Sequence, residues 1–178
     1  MSSPEPSLVS RSRLEFLFDG VFAIALTLLV LELKVPELAD RRSAPEMWRA
    51  LAHDAPTFFS YLLSFAMLGL LWYRHHVQFR HLHRPTRLSM VLHLVMMMAA
   101  AAFPFAAALL GRYTVNPATL VVYSGCVGTY QWSSTALWIS ADRQGALDPE
   151  LDRQEFLRLR SRALRGSIAL LLIFLVSL

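Results

Sequence analysis

From Ala55 to Tyr73 the chain carries no charged residue, and from Leu88 to Gly111 its only ionisable group is His93. A helix of about 20 predominantly apolar residues matches the hydrocarbon thickness of a bilayer. Inside that thickness only helices and closed barrels satisfy their own backbone polar groups. These blocks therefore predict an all-α integral membrane protein, a helical bundle subunit in a single transmembrane domain over 1–178. Composition agrees: 55% of the 178 residues are hydrophobic and 17% are charged, too little polar surface for a soluble domain of this size.

The apolar blocks predict five visible spans, at about 13–35, 57–77, 87–111, 117–141 and 163–178, behind a polar, mobile N-terminus at 1–10. In the first, only Val21–Leu31 is free of charge, so spanning length requires Asp19 and Glu15 to lie inside or at the interface. Asp19 interrupts the approach to the apolar run, and "LELKVPEL" lacks a small-residue cleavage pattern, which excludes a signal peptide. The proline-punctuated segment that follows reads as a loop. Within it Pro45–His53 predicts a short amphipathic helix with Met47, Trp48 and Leu51 on its apolar side. Pro104 is expected to kink the third span or to mark its outer turn. The Gly, Ser and Thr of the fourth span suit close helix contact in lipid, and the fifth, "GSIALLLIFLVSL", is short for a complete span. Twelve Lys and Arg fall on the N-terminal side of this topology and five on the other, so the positive-inside rule places the N-terminus in the cytoplasm.

The formal charge of +4 comes almost entirely from Arg flanking apolar blocks. No basic stripe with interleaved exposed aromatics accompanies it, which excludes a nucleic-acid partner. The lone Cys126 forms no intrachain disulfide and reads as a small apolar side chain. His75, His76, His81 and His83 have no cysteine and no close acid at a metal-ligand spacing, so no metal is expected. The nucleophile elbow G-x-S-x-G is absent, as is a T-V-G-Y-G potassium filter. The sequence thus predicts neither an enzyme nor a bound cofactor.

Asp19 is the anomaly. A charge near mid-membrane costs on the order of 2.5–3.5 kcal/mol on the gentler insertion scale, so it requires a partner or water. Arg13 lies six positions earlier and off the same face, so a direct pair needs bending or a neighbouring helix. Trp72 and His75, three apart on one face, and His93 are the candidate donors on other helices. The plainer alternatives are an interfacial aspartate and a hydrogen-bonded core histidine. Below Asp19, Gly20, Ile24, Thr27, Leu28 and Leu31 recur along one helical stripe, which the spacing alone leaves open between packing and a pore wall.

"RLEFLFDGVFAIALTLLVLELKVP" resembles the first-helix signature of the transmembrane-protein-175 family, the endolysosomal potassium channels and their prokaryotic relatives. That signature reads Arg, three residues, Phe-Ser-Asp-Gly, then an apolar helix. Arg13, Asp19 and Gly20 match it, while Leu17 and Phe18 stand where Phe and Ser are expected. "WYRHH" (Trp72–His76) resembles the family's W-x-x-H pattern. "RLSMVLHL" resembles the start of its third helix, with His93 in place of Asn, and "FPFAAALLGRY" the end of that helix. Against a family unit of six helices, the fifth is short and the sixth missing, which predicts truncation or disorder beyond Leu178.

The resemblance implies a homotetramer in a prokaryotic plasma membrane, its first helices surrounding a potassium pore with an apolar constriction. Carried over by position, the constriction falls on Ile24, with Leu28 and Leu31 along the same face and Thr27 beside it. A ring of four such side chains would select by partial dehydration, which potassium tolerates better than sodium, and would gate by excluding water. Arg13, Asp19, Gly20, Trp72, His75 and His93 would form the network anchoring that helix. A proton-coupled transporter and a non-conducting membrane scaffold are the competing functional classes.

Overall fold

Four of the five α-helices between Arg11 and Arg143 begin behind a residue whose side chain caps them. The computed structural model describes residues 10–166 apart from 84, 150, 155, 162 and 163. Helix α1 (Arg11–Leu28) starts behind Ser10, whose hydroxyl accepts the Arg13 N–H, and tightens into a 3-10 turn at Leu29–Glu32 before Pro36. Ser43 caps α2 (Ala44–His53), with Pro45 in the first turn, close to the predicted amphipathic segment. Helix α3 (Ala55–Arg80) follows Asp54 directly. Thr86 and Ser89 form a reciprocal capping box for α4 (Arg87–Arg112), and Asn116 caps α5 (Pro117–Arg143). At the end of α5, Gly145 takes φ +58, a conformation that costs glycine nothing, and Ala146 N–H then reaches back to Ala141 O at 2.9 Å. Residues 153–154 and 156–161 are helical as well.

Helix α4 is the centre of the bundle, packing against α5, α3 and α1. Its Ala99, Ala100, Ala106 and Ala107 are buried, and small side chains let neighbouring backbones approach closely. The closest approach is at Gly111, where a Cβ would lie 3.1 Å from Thr57 Cα. Phe18, Phe22 and Ala25 of α1 and Leu29 of the turn that follows complete the main core together with Leu68 and Leu71 of α3 and Met96 and Phe103 of α4. A smaller core at the Arg-rich end gathers Leu14, Phe79, Leu82, Ala141 and Ala146. There the loops after α3 and α5 are joined by His83 N–H to Ala146 O at 2.8 Å and Asp148 N–H to His81 O at 2.9 Å.

Among the described residues three segments are long and apolar enough to cross a membrane: Arg11–Glu32, Ala55–Arg80 and Arg87–Arg112. The first begins two residues before the predicted 13–35 and stops earlier, because Leu33 leaves the helix. Helix α4 runs unbroken through Pro104 to Arg112, so Pro104 does not mark its outer turn. Ser60 of α3 donates to Ala107 O at 2.7 Å on this same stretch. Helix α5, 27 residues long, runs two residues past the predicted fourth span and is less apolar than the other three. Three of its hydroxyls bond carbonyls of the same helix: Ser124 donates to Leu120 O at 2.6 Å, Thr135 to Gln131 O at 2.9 Å and Ser140 to Leu137 O at 3.0 Å. Ser134 also exchanges two hydrogen bonds with Gln78 of α3, at 2.7 and 2.8 Å. The expected fifth span, 163–178, lies outside the described residues except for helical 164–166.

Candidate functional site

The two faces of α1 have opposite characters. Leu14, Phe18, Phe22, Ala25 and Leu29 point into the bundle and are buried. On the other face Ile24 is 61% exposed, Leu31 60% and Leu28 41%, an apolar stripe left uncovered among the described residues. Gly20 lies on that face with open space around its Cα. Thr27 is exposed, and its hydroxyl donates to Ile24 O at 2.8 Å. The one hydroxyl of the run is thereby turned back onto its own helix, and the stripe offers methyl groups outward.

Where α1 meets α3, polar contacts repeat every four residues along both helices. Arg11 donates to Phe79 O at 3.0 Å and Arg80 O at 3.4 Å, closing the carbonyl end of α3. Glu15 Oε1 lies 3.9 Å from His76 Nδ1. Trp72 Nε1 donates to Asp19 Oδ1 at 2.8 Å. The three steps 11–80, 15–76 and 19–72 define one antiparallel register, since residues four apart lie one above another on a helix. Hydrogen bonds to a charged group are worth about 1.5–3 kcal/mol, comparable to the insertion cost of Asp19.

Beneath these contacts sits an aromatic cluster. The Phe18 ring stacks on His75 with centroids 3.3 Å apart and on Phe22 at 4.8 Å. His93 meets His75 edge-on at 5.1 Å and Phe79 at 5.3 Å. His93 Nδ1 is 2.6 Å from Ser89 O, whereas among the described residues Nε2 of His75 and of His93 have no hydrogen-bond partner. Tyr130 of α5 packs on Phe22 at 5.8 Å and donates to Leu71 O at 3.0 Å.

Of the three donors named for Asp19, Trp72 reaches it, while His75 and His93 face Phe18 instead. The Arg13 side chain is exposed and makes no hydrogen bond or ion pair among the described residues; Arg11 is the arginine that reaches α3. Arg11, Glu15, Phe18 and His76 were not among the expected site residues. The spacing of Arg11, Glu15 and Asp19 at intervals of four was the available signal. Among the described residues no cluster of His, Cys, Asp and Glu could hold a metal ion.

A family model described as the endosomal/lysosomal potassium channel TMEM175 matches residues 13–104. A potassium channel of Streptomyces collinus is 36% identical over 161 residues, covering 88% of this chain and 77% of that protein. The cattle endosomal/lysosomal proton channel TMEM175 is 32% identical over 114 residues, 61% of this chain and 24% of the cattle protein. The crystal structure of a lysosomal potassium-selective channel TMEM175 homolog from Chamaesiphon minutus superposes with a TM-score of 0.81 at 28% identity, covering 94% of this chain and 86% of that one.

Proposed function

The chain belongs to the TMEM175 family, a family of channels and not of enzymes, and from that premise we propose that it is a potassium-selective channel built from four copies around a common axis. It is a multi-pass membrane protein, and its place in this reading is a prokaryotic plasma membrane with the N-terminus in the cytoplasm. Helix α5 crosses the membrane alongside the three more apolar helices. The observation that carries the proposal is the uncovered stripe Ile24, Leu28 and Leu31 on a helix whose other face is fully packed. Four such stripes meeting at the axis leave a narrow apolar passage, with Ile24 as its constriction and Thr27 beside it. Because the Thr27 hydroxyl is engaged with Ile24 O, selection rests on partial dehydration rather than on a cage of oxygens. The contacts of Asp19 with Trp72, and of Phe18 with His75 and His93, hold α1 at the angle that turns the stripe inward.

Reconstituted in planar bilayers under asymmetric potassium and sodium, the protein passes potassium in preference. Ile24→Asn raises conductance and weakens the discrimination. Absence of current from a verified tetramer refutes the reading. A second reading, proton movement, is favoured by the name of the cattle relative and by the two buried imidazoles. In that case the reversal potential follows the proton gradient and ignores potassium.

A further inference from the structure

Away from the α1 stripe, a cavity of about 390 Å³ opens between α3 and α5, lined among others by Tyr73, Arg74, Gln78, Ser134, Trp138 and Leu159. Arg74 is half-buried there. Among the described residues its guanidinium has no carboxylate within ion-pair distance, and the Gln78 amide that lines the same cavity hydrogen-bonds with Ser134. A Cβ on Gly166 would lie 3.8 Å from Arg74 Nη1. A guanidinium carries five donors and no acceptor, and removing it from water without an anion is costly.

The position of Arg74 selects the anion. It lies six residues before Arg80, which is about 9 Å along the axis of a membrane-length helix. That end of α3 is the Arg-rich side of the topology. Tyr73 beside it is 60% exposed, an amphipathic aromatic of the kind that marks the headgroup level. The wall continues from the charge onto the apolar surface of Trp138 and Leu159. A free anion has no use for such a wall, whereas a headgroup joined to acyl chains fills both parts. We propose that this cavity binds an anionic phospholipid, with the Arg74 fork on the phosphodiester and an acyl chain against Trp138 and Leu159. The proposal requires that α3 spans a membrane and is independent of ion conduction.

The test uses the full chain purified in neutral detergent and incubated with phosphatidylglycerol or phosphatidylcholine, with retained lipid counted by native mass spectrometry. Phosphatidylglycerol is retained over phosphatidylcholine. Arg74→Gln lowers that retention roughly five- to tenfold, and Arg74→Lys falls between, because it keeps the charge and loses the fork. Leu159→Trp, which fills the apolar part and leaves Arg74 in place, also lowers retention and serves as the deciding variant should Arg74→Gln not fold. Unchanged retention in either folded variant, or equal retention of the two lipids, overturns the proposal. So does displacement of phosphatidylglycerol by excess inorganic phosphate, which would make the site one for a free anion.

Discussion

Replacing Phe18 by Ala removes the ring on which the inner face of α1 is seated. Phe18 is fully buried and touches His75, Phe22, His93 and Tyr130. Phe→Ala changes in soluble cores cost about 3–5 kcal/mol, the sum of a transfer part and a void part. In a membrane bundle the transfer part shrinks, because lipid tails are as apolar as the core, while the void part stays. The expected cost is therefore near the lower bound, about 3 kcal/mol. Phe105→Ala is the control: that ring is 63% exposed, and its loss should cost under about 0.5 kcal/mol. Equilibrium unfolding by SDS titration in mixed micelles measures both. A double-mutant cycle between Phe18→Ala and His75→Ala should return a coupling of about 0.5–1.5 kcal/mol for the stacked pair. A Phe18→Ala cost within about 1 kcal/mol of the Phe105→Ala cost would refute the assignment of Phe18 as the seat of α1.

Trp72→Phe keeps the ring and deletes the donor to Asp19; the same titration should show a loss of about 1.5 kcal/mol or somewhat more, whereas Asp19→Asn, which keeps an acceptor oxygen, should cost less. Gly111→Ala places a methyl group 3.1 Å from Thr57 Cα and should cost about 1–3 kcal/mol by overpacking; a neutral result would show that α3 and α4 can part freely there. Glu46 accepts the N–H groups of Ala39 and Asp40, which hold its carboxyl below the ordinary 4.5. A depressed carboxylate supports the fold above its unfolded value and loses that support as pH falls through the lower folded value. Protection of the Ala39 and Asp40 amides, taken relative to the intrinsic exchange rate at each pH, should accordingly be full above pH 4.5 and fall below it, and Glu46→Gln should abolish that change in protection.

The helices were legible in the sequence because burial in lipid and burial in a bundle demand the same thing, an unbroken apolar run with caps outside it. The short helix after Ser43 was legible for the same reason, its apolar residues recurring at helical spacing. Hydropathy undervalues α5, because an index scores Ser124 and Thr135 as polar although each has returned its hydroxyl to a carbonyl one turn back. Asp19 drew attention as a charge in an apolar run, and its donor could be narrowed to three side chains. Choosing among them was beyond the sequence, since the choice turns on Phe18. With a ring there in place of a small hydroxyl residue, His75 and His93 have an aromatic face to pack against, and the aspartate is left to Trp72. Arg11 was passed over because its acceptors are backbone carbonyls, which carry no mark in a sequence.

The equal steps between α1 and α3 join unlike teeth. Sliding one helix a single turn, about 5.4 Å, past the other would preserve the spacing and ruin the matches. In one direction Glu15 would meet the electronegative carbonyl tail of Phe79 and Arg80; in the other, Asp19 would face Leu68 and lose its indole. Both slips set a carboxylate against a surface that repels it or leaves it dry. The two rods are therefore keyed like a rack with one legal seating, and any rearrangement that serves permeation must tilt or turn them as a joined pair instead of ratcheting one along its neighbour.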